Sequence, residues 1–235
     1  VREEGRYMEG YAHLVTACAA FIGTHFLMSH PLRAPMVERL GANGFLGVYS
    51  LVSLATFGWM IWAFRQAPTG ETLWPATDAI WIIASILTLL AAIFYCGSMI
   101  RNPAMPNPSP DAGAALAAKV PNGMFLVTRH PMMWSFALWG VGHILVAPRM
   151  DNFIFIGAII FMALVGSWAQ DVKKRATLGD AWRAWEGRTA FVPRLSQLPR
   201  IGWRLWLAGI ALWLFATWAH NFFGAYDAGI LRWIG

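Results

Sequence analysis

The sequence predicts an all-α, multi-pass membrane bundle of about six spans, with both termini outside the cytoplasm. Of the 235 residues, 57% are hydrophobic and only 13% are charged, whereas soluble domains carry about 25% charged residues. The few charges are clustered, so apolar blocks alternate with short basic stretches. The 14 tryptophans agree with this prediction, because Trp favours the membrane–water interface. We expect residues 1–235 to form a single membrane domain.

Six apolar blocks approach the length of about 20 residues that a helix needs to cross the hydrocarbon core. The predicted spans are Tyr11–Ser29, Phe45–Phe64, Ala79–Ile100, Pro131–Ala147, Asn152–Ala169 and Trp203–His220. The loop before the last span places Leu178, Trp182 and Trp185 on one helical face. This pattern predicts a short amphipathic helix on the membrane surface.

The basic residues orient the predicted spans. All Lys and Arg lie in or beside the loops after the first, third and fifth spans, except Arg2, Arg6, Arg65, Arg149 and Arg232. The positive-inside rule then places these loops in the cytoplasm. We therefore interpret the net charge of +6 as topology in a bacterial cytoplasmic membrane. We expect membrane lipid, and no nucleic acid, as a partner.

Histidines within the spans are the candidate functional residues, since an ionisable group in a membrane is costly and often functional. Among the histidines, His143 is the one least easily explained by contact with water. It follows His130 by thirteen residues in an apolar run, which corresponds to about 20 Å of helix. His143 is either a ligand or a structural hydrogen-bonding group. Gly140 and Gly142 beside it would let a large ligand or a neighbouring helix approach closely.

Haem b is the cofactor that such a bundle suits best, because two neutral imidazoles from different helices can hold its iron between apolar walls. Carboxylates are nearly absent from the spans, which argues against a zinc protease and a proton-driven transporter. At the cytoplasmic entry of the fourth span, Arg129 and His130 precede Pro131. These two side chains either serve structural roles at the helix start or bind the anionic group of a ligand.

Two long motifs resemble those of the NnrU family of membrane proteins. The first runs from H-F-L-M-S-H-P-L-R (His25–Arg33) into L-G-A-N-G-F-L-G-V-Y-S-L-V-S-L (Leu40–Leu54), and the second is T-R-H-P-M-M-W-S-F-A-L-W-G-V-G-H (Thr128–His143). That family is associated with nitrite and nitric-oxide metabolism and is similar to the plant 15-cis-ζ-carotene isomerase, a haem b membrane protein. The resemblance implies haem ligation by His25 and His143. It also implies redox-regulated cis–trans isomerisation of a polyene or carotenoid-like lipid, or a role in denitrification.

Two other functions remain open from the sequence. The chain could be a non-enzymatic haem carrier or accessory subunit of a larger membrane complex, holding haem or a quinone-like ligand. It also resembles the isoprenylcysteine and phospholipid methyltransferases, with Leu178-Gly179, Trp182, Trp185 and Val192-Pro193 in register. The paired Glu residues that help hold S-adenosylmethionine in those enzymes are replaced here by Gln170 and Asp171.

Overall fold

The computed structural model describes residues 2–100, 102–103, 111–222 and 227–234, with side chains from Met8 onward. Within these residues the chain forms helices and no strand. The α-helices are α1 (Arg2–Ser29), α2 (Arg33–Gln66), α3 (Asp78–Ser98), α4 (Ala112–Ala118), α5 (Pro131–Val146), α6 (Met150–Leu178), α7 (Asp180–Arg188), α8 (Trp203–Phe222) and α9 (Leu231–Ile234). Short 3-10 helices occupy Gly123–Leu126 and Leu195–Arg200.

The predicted all-α membrane bundle is confirmed. Five helices, namely α1 from Met8 onward, α2, α3, α6 and α8, are long and apolar enough to cross a membrane. Their outer faces carry exposed apolar side chains such as Leu54 and Phe215, which suit lipid. The sixth predicted span, α5, has 16 residues and is therefore about 24 Å long, slightly shorter than the hydrocarbon core of about 30 Å. The side of the membrane on which the termini lie stays a prediction.

Two helices extend beyond their predicted spans. Helix α2 starts at Arg33, but its backbone breaks at Gly41, where φ is 71°, a conformation that suits glycine. The predicted span from Phe45 therefore corresponds to the part after this break. Helix α6 continues past the predicted end at Ala169 to Leu178, which adds Asp171 and Arg175 to a rigid element.

The chain divides into two compact units. The first, Val1–Pro75 with Ala147–Met162, contains α1, α2 and the start of α6. Its core is formed by apolar side chains of these three helices, including Leu14, Met60 and Ala158. Small side chains such as Ala17 and Ala63 are fully buried there, as expected where membrane helices approach closely.

The second unit, Ala76–Val146 with Ala163–Gly235, is built on α3, against which both α5 and α8 pack. At Gly142 of α5, an added Cβ would lie 3.3 Å from the carbonyl oxygen of Ala84. At Gly209 of α8, it would lie 2.7 Å from Cα of Ile93. The prediction that glycine beside His143 admits a close neighbour is confirmed at Gly142, where the neighbour is helix α3.

The amphipathic helix predicted after α6 is present as α7, but its predicted membrane-facing role is wrong. Trp182 and Trp185 are fully buried within the second unit. They pack with Leu116 of α4 and with Phe125. The apolar face of α7 is therefore covered by the protein itself, because α4 in the preceding loop supplies a partner that periodicity alone does not reveal.

Candidate functional site

The start of α5 is held by a second chain segment through main-chain bonds. The backbone N–H of Arg129 donates to the carbonyl of Ala190 at 2.8 Å, and that of Arg194 donates to Val127 at 2.9 Å. The Thr128 hydroxyl donates to the carbonyl of Phe191 at 2.7 Å. These bonds satisfy backbone groups in an irregular stretch. They therefore fix the backbone that carries Arg129 and His130.

Arg129 and His130 share one carboxylate. Nε and Nη2 of Arg129 donate to Oδ2 of Asp171 at 2.9 and 2.6 Å. Nε2 of His130 lies 2.8 Å from Oδ1 of the same residue. The exposed fractions are 8% for Arg129, 2% for His130 and 1% for Asp171. Charge-assisted hydrogen bonds between buried groups are strong. Removing one partner would leave the charge of the other buried without compensation.

A second carboxylate extends this group toward solvent. Oε1 of Glu186 lies 3.5 Å from Nη2 of Arg129. Both Glu186 oxygens also accept bonds from Arg175, each at 2.8 Å. We call Arg129, His130, Asp171, Arg175 and Glu186 the ion cluster. Its two guanidinium groups balance its two carboxylates.

The ion cluster already supplies partners to the two residues predicted to bind an anionic ligand. Asp171 accepts bonds from Nε and Nη2 of Arg129, and the guanidinium carbon lies 5.4 Å from the centre of the Phe191 ring. Nδ1 of His130 is buried and has no partner among the described residues. Ligand binding by Arg129 and His130 stays a prediction, and it would require a group that displaces or joins Asp171.

The two predicted haem ligands share a hydrogen-bonding pattern. Nδ1 of His25 lies 2.9 Å from the carbonyl of Phe21, and Nδ1 of His143 lies 2.8 Å from that of Trp139. His220 of α8 repeats the pattern, with Nδ1 2.7 Å from the carbonyl of Ala216. A carbonyl only accepts, so each Nδ1 carries the proton. In the neutral ring the lone pair then lies on Nε2.

The surroundings of these three rings differ. His25, in the first unit, packs against Phe21 and Tyr49. His143 and His220, in the second unit, are neighbours with ring centroids 6.1 Å apart. Among the described residues, no group of three or more His, Cys, Asp or Glu could hold a metal ion. Ligation of haem by His25 and His143 stays a prediction.

The family model for the NnrU protein matches residues 13–227, which include both sequence motifs, the ion cluster and all six histidines. The chain belongs to the NnrU family. No curated protein and no solved structure matches it. Family membership therefore supports a multi-pass membrane protein of the NnrU type and leaves cofactor and reaction as proposals.

Sequence reasoning missed three residues of this NnrU site. Asp171 appeared only as a departure from a methyltransferase motif, and Glu186 was not singled out. One signal was available, since a carboxylate that directly follows an apolar span needs a cationic partner when it is buried. His220 was not among the predicted ligands, and no sequence spacing reveals that it lies beside His143.

Proposed function

We propose that this NnrU-family chain is a haem b-binding protein of the bacterial cytoplasmic membrane. His143 is its principal ligand, and His25 is the second ligand that the resemblance implies. The observation that carries the proposal is the bond from Nδ1 of His143 to the Trp139 carbonyl at 2.8 Å. Metal-ligating imidazoles almost always donate their other N–H in this way, which fixes the tautomer and the ring orientation.

The residues around His143 fit the edge of a macrocycle. Trp139 lies against the imidazole with ring centroids 4.4 Å apart, and the remaining side chains of α5 are mostly apolar. When bound, haem b would supply an iron that can change its oxidation state and take up a further ligand. The protein's part is to hold the imidazole, exclude water and position an apolar ligand.

We further propose that the reaction is cis–trans isomerisation of a polyene-like lipid. This step rests on the resemblance to the plant 15-cis-ζ-carotene isomerase, and the apolar bundle suits such a substrate. A role in nitric-oxide or denitrification metabolism is the other activity that the family suggests. In either case an anionic group at Arg129 and His130 must displace or join Asp171, because Asp171 is already bonded to both.

Methyl transfer is disfavoured by the same contacts. A site for S-adenosylmethionine needs negative charge near the sulfonium. The carboxylate of Asp171 is already paired with Arg129 and His130, and its neighbour Gln170 is uncharged. The ion cluster therefore offers little net charge to a sulfonium cation.

The test is an absorption spectrum of the detergent-purified full chain, oxidised and then reduced with dithionite. We expect a Soret band and sharp reduced α and β bands that are lost in His143→Ala. The matched control is His13→Ala, because Nε2 of His13 already accepts a bond from Trp59 at 2.9 Å. A colourless protein without extractable haem, even when haem precursor is supplied during expression, would refute the proposal.

Carbon monoxide then separates a catalyst from an electron carrier. A catalyst must open one coordination position in the reduced state, so carbon monoxide binds and shifts the Soret band. A haem-carrying accessory subunit keeps both axial ligands and does not respond. We expect the shift, and a reduced spectrum insensitive to carbon monoxide would favour the accessory subunit.

A further inference from the structure

Two imidazoles from different helices meet in the second unit. His143 lies in the last turn of α5 and His220 in the last turn of α8. Both helices pack against α3, which brings these ends together. The ring centroids are 6.1 Å apart and the ring planes differ by 31°. Neither ring is fully exposed.

Both rings are prepared in the same way for a ligand. Each Nδ1 donates to the carbonyl four residues earlier in its own helix, at 2.8 Å for His143 and 2.7 Å for His220. Each ring therefore keeps its lone pair on Nε2 when neutral. If the two histidines served only a structural role, a hydrogen bond from one ring to the other would stabilise the pair most. Here the N–H group of each ring already donates to a carbonyl of its own helix.

The spacing suits one metal between the two rings. Metal–imidazole bonds are about 2.0–2.1 Å long. If both Nε2 atoms point to one metal and the two bonds are in line, these bonds and the distance from each Nε2 to its ring centre join centroids about 6 Å apart.

We propose that His143 and His220 form a two-imidazole ligand pair for a transition metal. The metal is either the iron of haem or a single ion such as Zn²⁺ or Cu²⁺. With haem, His220 replaces His25 as the second axial ligand, and this alternative rests on the proposed function. With a single ion, the pair stands independently of haem, and solvent or substrate completes the coordination.

The haem alternative is tested by electron paramagnetic resonance of the oxidised, haem-loaded full chain. Two imidazoles give a low-spin signal. We expect His220→Ala to convert it to a high-spin signal, and added imidazole to restore the low-spin form. A structural role for His220 would not allow this rescue. The matched control His13→Ala keeps the low-spin signal. Loss of the low-spin signal in His25→Ala, with its retention in His220→Ala, would overturn the pair for haem.

The ion alternative is tested on protein expressed without haem. Cu²⁺ is added, and pulsed electron paramagnetic resonance counts the coordinated imidazoles. We expect two in the native chain and one in either His143→Ala or His220→Gln, where Gln keeps a polar side chain and protects the fold. Unchanged coupling in His220→Gln, or no bound copper, overturns the ion site. Two coordinated imidazoles in this haem-free protein would support the pair even if the spectrum of the haem-supplied chain refutes haem binding.

Discussion

Helix α5 carries a histidine at each end, and the two are held in opposite ways. At the start, Nε2 of His130 bonds to a carboxylate 2.8 Å away, and Nδ1 has no partner among the described residues. In the last turn, Nδ1 of His143 bonds to a carbonyl of its own helix. Nε2 of His130 is therefore hydrogen-bonded to Asp171, whereas Nε2 of His143 carries the lone pair of the neutral ring.

The partner of each ring decides what the ring can do. The carboxylate of Asp171 ties the neighbouring residues Arg129 and His130 to α6, which is distant in sequence, so His130 belongs to a network that holds two chain segments together. The carbonyl of Trp139 fixes only the tautomer of His143. On the proposed function the end of α5 with His143 is the place for a ligand, whereas His130 at its start is held in the ion cluster. The expected effects of substitutions follow from this difference.

The largest effect should come from Asp171→Asn. It removes the shared carboxylate, so that Glu186, at 3.5 Å, becomes the one carboxylate near the buried guanidinium of Arg129 among the described residues. Breaking a buried pair from one side costs about 3–5 kcal/mol. We expect the free energy of unfolding in mixed micelles to fall by that amount.

The matched control for this substitution is Asp180→Asn. Its side chain is 99% exposed and pairs with Arg183 on the surface of α7. We expect a change of about 0.5 kcal/mol or less. Equal effects of the two substitutions would show that the buried position of Asp171 has no energetic consequence, and the comparison of the two ends would fail.

Gly209→Ala should have the next largest effect, where α8 packs against α3. The new Cβ would lie 2.7 Å from Cα of Ile93, so α8 must move away from α3. Overpacking of this kind costs about 1–3 kcal/mol. The control is Gly157→Ala, where nothing lies within 4 Å, and it should gain about 0.5–1 kcal/mol. Copper binding by His143 and His220 should also weaken in Gly209→Ala, and unchanged binding would argue against packing as the cause of their proximity.

The spans were predictable from the sequence because each depends on a local property, a run of apolar residues. Pro131 gave the start of α5 correctly, since proline suits the first helical position. The extension of α6 to Leu178 was not predictable from hydropathy, because Lys173, Lys174 and Arg175 look like an ordinary loop. Their helix is stabilised by contacts distant in sequence, such as that of Arg175 with Glu186.

The site was predictable only in part. Arg129, His130 and His143 stand out as polar residues beside or within an apolar run. Their partners do not, because Asp171 meets Arg129 across 42 residues and His220 lies on a different helix. Pairing of this kind depends on how the helices pack on α3, and a single sequence carries no direct record of it.

Glu186→Gln tests whether the ion cluster weakens toward its exposed side. Asp171 still pairs with Arg129 in this variant, and the main loss is the two bonds from Arg175, whose side chain is 42% exposed. Exposed pairs contribute about 0.2–1 kcal/mol. We expect a loss of about 1 kcal/mol that shrinks at high salt. A loss as large as that of Asp171→Asn would mean that both carboxylates act as one buried unit.

Thr88→Val should have the smallest effect, and it measures the polar contact between α3 and α8. The Thr88 hydroxyl accepts a bond from Nε1 of Trp213 at 3.1 Å and also bonds to carbonyls within α3. Thr56 makes only the bonds within its own helix, so Thr56→Val is the matched control. The difference in unfolding free energy between the two variants should be about 0.6 kcal/mol, the average for an interhelical bond in a membrane. A difference above about 2 kcal/mol would exceed the largest value expected for such a bond. The contact between α3 and α8 could then no longer be described as held mainly by packing.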